Sequence, residues 1–180
     1  MNQLALAALV VTSIGSCDPA SFKSPLTDPA KAKVDGKLTG TWGGRDESTE
    51  FVLFVQPTQQ GKVDVTLVGR GTSDGVAHMT WRGMTSTVGG KSYLNLQEKF
   101  FTDNWGNKYE VKPEYIVVRY ELTGDTLKLS YLDGDGLNTL DGGAAALTAD
   151  SAGVAATIEK LPAKSFTHFM NFKRFKVPAP

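Results

Sequence analysis

The sequence contains little cysteine and little histidine: one Cys and two His in 180 residues. A single cysteine cannot form an internal disulfide or a thiolate zinc cluster, and two histidines provide little for a histidine-rich metal site. We therefore expect no metal and no cofactor. An apolar fraction of 41% with 21% charged residues is typical of a single globular domain with a sizeable core.

An excess of charge of one sign is also missing, because 19 Lys and Arg balance 19 Asp and Glu. General nucleic-acid binders carry a clear excess of positive charge, which attracts the phosphate backbone. The chain lacks that electrostatic signature, so we expect no nucleic-acid partner.

Residues 1–17 contain no charged side chain, and positions 4–14 are almost entirely apolar. As a helix, this run would be about 17 Å long, roughly half of the hydrocarbon thickness of a bilayer. It is too short to span a membrane, and its position predicts a secretory signal peptide over residues 1–17. The usual basic residue at the start is absent, which fits a weak signal or a start upstream of Met1. The alternative is a buried apolar helix with an incidental free cysteine.

The segment ends in Ile14-Gly15-Ser16-Cys17, which resembles the bacterial lipobox. The resemblance implies that the thiol of Cys17 receives a diacylglycerol, that the signal is cleaved before it, and that the new amino group is acylated. Several acyl chains anchor a protein firmly, since each buried methylene contributes about 0.8 kcal/mol. The expected partner is a membrane, reached through this N-terminal lipid, and the expected location is the bacterial cell envelope, facing the periplasm. Asp18 resembles an inner-membrane retention signal of enteric bacteria, but the sequence leaves the choice of membrane open.

Residues 18–36 contain three prolines and few large apolar residues. Such a segment buries too little surface to order itself. We predict a flexible tether with a root-mean-square span of about 25 Å. The alternative is that part of it packs along the flank of the domain.

From residue 38 onward, apolar and polar residues alternate with a period close to two, as in strands with one buried face. Eight strands are predicted within residues 38–42, 51–55, 63–67, 77–83, 93–97, 115–122, 126–132 and 166–175; the run at 51–55 is apolar on both faces, and the alternation at 93–97 is weaker. Short turns, several of them glycine-containing, separate many of the runs, which predicts an antiparallel meander. Asp150 and Ser151 can cap a short helix that Pro162 ends. Residues 99–112 are predicted to form a long loop.

Gly40-Thr41-Trp42, at the start of the first strand, resembles the Gly-x-Trp signature of lipocalins and the wider group of calycin barrels. In those barrels the tryptophan closes one end, and an arginine of the last strand packs across it, here Arg174. The predicted fold class is all-β: an eight-stranded antiparallel, lipocalin-like meander barrel over residues 37–177, with one short helix before the last strand. An open β-sandwich is the alternative.

Two motifs with a chemical meaning are better explained as turns. Gly71-Thr72-Ser73-Asp74-Gly75 matches the Gly-x-Ser-x-Gly pattern, but a nucleophile elbow needs a strand followed by a helix, whereas a strand pattern follows here. Asp133 and Asp135 suggest a calcium loop, yet glycine and the closing carboxylate are not at the required positions. No catalytic constellation remains, so we do not expect an enzyme.

Alternation places several large side chains on the inner faces of the predicted strands. The candidate ligand pocket consists of Met79, Trp81, Tyr120, Leu129 and Phe172, with His168 as its polar group if its face of the last strand points inward. Two functions follow. The barrel binds a small, largely apolar ligand, or it is a solidly packed structural or interaction lipoprotein of the cell envelope without a small-molecule ligand.

The lipid anchor predicts that Cys17→Ser abolishes acylation and leaves the precursor uncleaved, because serine has no thiol for diacylglycerol transfer. Metabolic labelling with a fatty-acid analogue measures this. Equal labelling of the wild type and the variant would contradict the assignment of Cys17 as the attachment site.

Overall fold

The computed structural model describes residues 19–71, 76–102, 108–110, 114–138 and 143–175. The strands are β1 (Ser21–Phe22), β2 (Gly40–Arg45), β3 (Thr49–Pro57), β4 (Val63–Gly71), β5 (Val76–Val88), β6 (Lys91–Thr102), β7 (Lys108–Glu110), β8 (Tyr115–Thr123), β9 (Thr126–Leu132) and β10 (Phe166–Arg174). The helices are α1 (Gly134–Asn138), α2 (Gly143–Ala146) and α3 (Ser151–Lys160), with 3-10 turns at Pro29–Lys31, Gln59–Gly61 and Ala163–Ser165. The predicted signal peptide, residues 1–17, lies outside the described residues.

In the described part of the chain, the strands form one antiparallel sheet that closes on itself. β2, β3, β4, β5 and β6 pair in sequence, β6 pairs with β8, and β8, β9 and β10 lead back to β2. The last pairing aligns Lys173 with Gly43 and Arg174 with Trp42. β1 and β7 are short additions beside β8 and β6. The prediction of a closed, eight-stranded antiparallel barrel with a short helix before the last strand is confirmed.

Successive barrel strands run in opposite directions, so the connections alternate between two ends. The first, here called the Trp42 end, contains the start of β2 and the β3–β4, β5–β6 and β8–β9 turns. The other, here called the far end, contains the β2–β3 turn, the β4–β5 connection and the segment from β9 to β10. Residues 72–75 and 103–107, which belong to far-end connections, lie outside the described residues.

The buried side chains form two clusters. The inner cluster fills the barrel and includes Trp42, Trp81 and Phe172. The outer cluster lies between the barrel wall and α3, which contributes Val154 and Ile158. α3 begins as predicted, because Asp150 Oδ1 accepts a hydrogen bond of 2.8 Å from the backbone N–H of Gly153.

The chain before β2 is packed against the barrel, contrary to the expected tether over residues 18–36. Phe22 is fully buried and Leu26 is 4% exposed. The backbone N–H of Leu26 donates to Asn95 Oδ1 at 2.7 Å, and the amide nitrogen of this buried Asn95 donates to Met84 O and Ser86 Oγ. These contacts compensate for the low apolar content of the segment, so the alternative of flank packing describes residues 19–36.

This N-terminal segment, residues 19–38, follows the outer wall from the far end to the Trp42 end. On this path the backbone at Ala32 passes directly against the turn at Gly61, which has φ +71. A side chain on Gly61 would place its Cβ 2.2 Å from Ala32 O, so only glycine allows this approach. Glycine is therefore required at this turn.

The predicted loop over residues 99–112 is wrong for all of its described part, residues 99–102 and 108–110. β6 continues to Thr102, and β7 pairs with it over Lys108–Glu110. Pairing with an existing edge stabilises strand structure in a sequence whose alternation is weak. Residues 103–107 and 111–113 of this region lie outside the described residues.

Candidate functional site

The barrel interior brings together five of the residues predicted to line a pocket. These are Met79, Trp81, Tyr120, Leu129 and Phe172, all of which belong to the inner cluster or pack against it. Trp81 lies opposite Val65 across β4 and β5, and Leu129 lies opposite Tyr120 across β8 and β9. The inner faces predicted from period-two alternation therefore converge at these positions.

The completely buried members of the inner cluster lie around Trp42, whereas burial farther away varies from residue to residue. Trp42, Val63 and Phe172 are 0% exposed. On strands leading to the far end, Leu67 and Tyr131 each retain 6% and Trp81 retains 8%, while Met79 is only partly buried. Phe51, toward the far end of β3, is 2% exposed, and Leu122 at the Trp42 end is only partly buried. Complete burial is thus concentrated around Trp42, and Met79 and Trp81 retain some exposure.

The Trp42 end is closed by an arginine stacked on the indole. The guanidinium carbon of Arg174 lies 4.0 Å from the centre of the Trp42 ring, within the range of a cation–π contact. Its Nη1 donates to Thr39 O at 2.8 Å, and its Nη2 donates to Lys37 O. The indole N–H in turn donates to Leu38 O at 2.9 Å. Both side chains named from the sequence therefore hold residues 37–39 across this end.

The backbone conformation of Gly40 and its closeness to Arg174 explain why a glycine stands two residues before Trp42. Its φ is +132, a conformation that L side chains rarely adopt, and an added Cβ would lie 2.8 Å from Arg174 Nη1. Any side chain here would strain the backbone and displace the guanidinium.

A second contact at this end was not anticipated from the sequence. The hydroxyl of Tyr120, inside the barrel, donates to Asp35 Oδ2 at 2.9 Å. The backbone N–H of Asp35 donates to Thr85 Oγ1 at 3.1 Å, and that hydroxyl donates to Lys33 O. Val34 packs on the inner cluster between them. Residues 33–38 therefore close the Trp42 end of the barrel and are here called the plug. The sequence indicated this packing only through the apolar residue Val34, which stands in a polar segment.

This environment raises the pKa of Tyr120 far above its ordinary value of 10.0. Burial is the largest cause, because it disfavours the phenolate; the hydrogen bond to Asp35 and the negative charge of that carboxylate act in the same direction. Burial likewise raises the pKa of Tyr93 in the outer cluster.

The prediction that His168 faces the interior is wrong. A β-bulge lies between His168 and Met170, which pair with Ser130 and Leu129, so Phe169 is an extra residue. Met170 therefore faces inward, whereas His168 is exposed on the outside of the barrel. Phe166, on the same side of the bulge as His168, belongs to the outer cluster. Because alternation reverses at a bulge, His168 cannot be the polar group of an interior pocket.

The acidic segment interpreted as a turn instead continues from Asp133 into the short helix α1, Gly134–Asn138. Asp133 accepts from the Gly136 N–H through Oδ1 and from the Thr167 hydroxyl through Oδ2, so both oxygens stabilise the β9–α1 connection. The Gly-x-Ser-x-Gly sequence joins the antiparallel strands β4 and β5, and its residues 72–75 lie outside the described residues.

A groove of about 410 Å³ lies outside the barrel, where the N-terminal segment begins. Pro19, Ala20 and Lys23 form one side, and Leu137 and Leu147 line it from the helical segment. Its walls are partly apolar, and it is separate from the barrel interior.

Comparison with known proteins finds no family model, curated protein or solved structure that matches the chain. The closed antiparallel barrel is consistent with the lipocalin-like fold that the sequence resembles. Within the ranges that the structure describes, no three or more His, Cys, Asp or Glu side chains are grouped to hold a metal ion. None of the helices among these residues has the length and hydropathy needed to span a bilayer.

The closure at the Trp42 end predicts coupled stability effects. Trp42→Ala should lower the free energy of unfolding by about 3–5 kcal/mol, because it removes a fully buried ring. Arg174→Ala should cost less, and the double variant should deviate from additivity by at least about 0.5 kcal/mol, since the two side chains are in contact. Urea denaturation of the four proteins measures the coupling. Asn171→Ala, an exposed change on the same strand, should be additive with Trp42→Ala; equal additivity for Arg174→Ala would contradict an energetic contact.

The raised pKa of Tyr120 predicts that the folded protein loses stability at alkaline pH. The folded protein holds the phenolic proton more tightly than the unfolded chain, so this contribution is complete below pH 10.0 and is lost as the pH rises toward the folded pKa. The slope for one proton is at most about 1.4 kcal/mol per pH unit. Tyr120→Phe should cost about 0.5–1.5 kcal/mol at pH 7 through the lost hydrogen bond, yet lose less stability than the wild type above pH 10.0. Urea midpoints measured from pH 7 to 11 test this, and parallel curves for the two proteins would refute it.

Proposed function

We propose that this protein is a lipid-anchored envelope protein whose barrel binds a small, largely apolar ligand. The observation that carries the proposal is the asymmetry of the interior. One end is plugged by residues 33–38 beneath Arg174, while Met79 and Trp81 lie beyond this plug and retain some exposure. Closed barrels of eight strands have an interior that either fills with side chains or holds one small ligand.

The chemistry of the wall determines the class of ligand. Around Met79, Trp81 and Leu129 the inner cluster is mainly aliphatic and aromatic. The hydroxyl of Tyr120 already donates to Asp35, and that of Thr85 is bonded at the Trp42 end. Since exposed His168 cannot contribute, the described inner wall favours a ligand with an apolar body, recognised mainly by shape and burial.

The membrane attachment rests on the lipobox-like residues that end in Cys17. The first described residue, Pro19, follows two positions later and is already paired with Asp133 of the domain. An acylated Cys17 would therefore join the lipid directly to the folded barrel.

A second candidate is a structural or interaction lipoprotein with a filled barrel. The number of aromatic rings inside favours it, because Trp42, Phe51, Trp81, Tyr120 and Phe172 share one cluster. In that case contacts with other envelope components would be made by the outer surface.

Binding of an environment-sensitive apolar dye distinguishes the two candidates. The ligand-binding proposal predicts saturable dye fluorescence with the native protein, lost in Trp81→Arg and in Met79→Arg. Met79 is partly buried and nearer the far end, so an arginine there can extend its charged head toward solvent without unfolding the barrel. Val68→Arg adds the same charge to the outer face of β4 and is the matched control.

The filled-barrel candidate predicts a different pattern. Native protein would bind little dye, and Trp81→Arg would unfold because the charge is forced into a complete core. Dye binding retained by a folded Met79→Arg variant would place the dye elsewhere and contradict the interior site. Far-UV circular dichroism of each variant reports folding.

A further inference from the structure

We infer that the lipid anchor holds the barrel with its far end against the bilayer, so that the surface around the β9–α1 connection and the β2–β3 turn is a membrane-contact surface. This inference rests on the proposed acylation of Cys17. The occupant of the surface is the bilayer in which the acyl chains are inserted.

The short link between the lipid and the fold carries the inference. Pro19 forms a β-bridge with Asp133, and the backbone N–H of Ala20 donates to Leu132 O at 2.9 Å. Cys17 precedes Pro19 by two residues, and two extended residues reach about 7 Å. The acyl chains must therefore enter the membrane close to Asp133.

Asp133 directly follows β9, the strand that starts at the Trp42 end with Thr126 and finishes at the far end with Leu132. Seven residues of strand rise about 3.3 Å each, roughly 20 Å in total. A link of about 7 Å cannot bring the Trp42 end to the membrane surface while the far end stands away from it.

The N-terminal segment does not provide the missing length. Its release would expose the fully buried Phe22, separate Leu26 from Asn95, and break the contacts of Asp35 with Thr85 and Tyr120. Since these contacts also plug the barrel, the segment stays attached while the domain is folded.

Surface composition alone does not select this orientation. Among the described residues, the two exposed large apolar side chains lie at opposite ends, Val76 at the far end and Phe175 at the Trp42 end. Lys37 and Lys91 are exposed at the Trp42 end and would be attracted by anionic lipids. That attraction decays over about 10 Å at 0.1 M salt, whereas the covalent link acts at every salt concentration.

The orientation deepens the proposed function by naming where the ligand comes from. The far end, which is the end nearer to the partly buried Met79, would face the lipid headgroups. The groove beside Pro19 lies on the same side. A ligand taken up there would be an apolar molecule dissolved in the membrane.

Depth-dependent fluorescence quenching tests the orientation. The acylated full chain is reconstituted into phosphatidylcholine vesicles containing a headgroup-spin-labelled phosphatidylcholine. A thiol-reactive bimane is placed at Ser48→Cys in the β2–β3 turn, or at Thr123→Cys in the β8–β9 turn; both positions are exposed hydroxyl residues, one at each end. We expect severalfold stronger quenching at Ser48→Cys than at Thr123→Cys.

A lengthened link is the matched control. Twelve Gly and Ser residues inserted between Asp18 and Pro19 add a span of roughly 20 Å, and should remove the difference between the two labels. Equal quenching in the original chain, or stronger quenching at Thr123→Cys, would overturn the orientation. The intact mass distinguishes the two failures: a chain without acyl groups on Cys17 overturns the proposed anchor, whereas an acylated chain with equal quenching overturns only the orientation.

Discussion

The guanidinium of Arg174 joins the three parts of the chain on which closure of the barrel depends. It lies on the last strand, stacks on Trp42 of the first barrel strand, and donates to carbonyl oxygens of Lys37 and Thr39 in the approach to that strand. Arginine suits this position because its planar group offers a face to the ring and several donors to the backbone. These bonds hold the end of the plug of residues 33–38, whose earlier part is held by the contacts of Asp35 with Thr85 and Tyr120.

The plug also confines the polar groups of the interior to one end and leaves apolar side chains beyond it. Asp35, Thr85 and Tyr120 satisfy one another at the Trp42 end, so their polar groups are engaged within the fold itself. Farther along, Trp81 and Leu129 present apolar surface. Buried polar groups are costly unless paired, which explains why the polar cluster is confined to the place where the N-terminal segment can complete it.

Local patterns of apolar residues were sufficient to predict the eight barrel strands. Inward and outward side chains alternate along a strand, and this period of two residues does not depend on which strand is the partner. Alternation was insufficient at Phe169, where one extra residue moved His168 to the outer surface. The bulge depends on pairing with β9 and has no local signature. Composition likewise predicted a tether, since Phe22 and Leu26 are too few to form a core alone; their burial comes from a surface provided by distant residues, Asn95 among them.

The contact of Arg174 with the start of the barrel has a kinetic consequence. Its hydrogen bonds to Thr39 and Lys37 join residues separated by 135 and 137 positions in the sequence. Folding slows as contacts become more distant in sequence, because the chain must lose loop entropy before such contacts can form. β2 is synthesised before β10, so the seam between them cannot close until the last barrel strand is available. Closure of the barrel is therefore a late step of folding, which cannot precede the synthesis of Arg174.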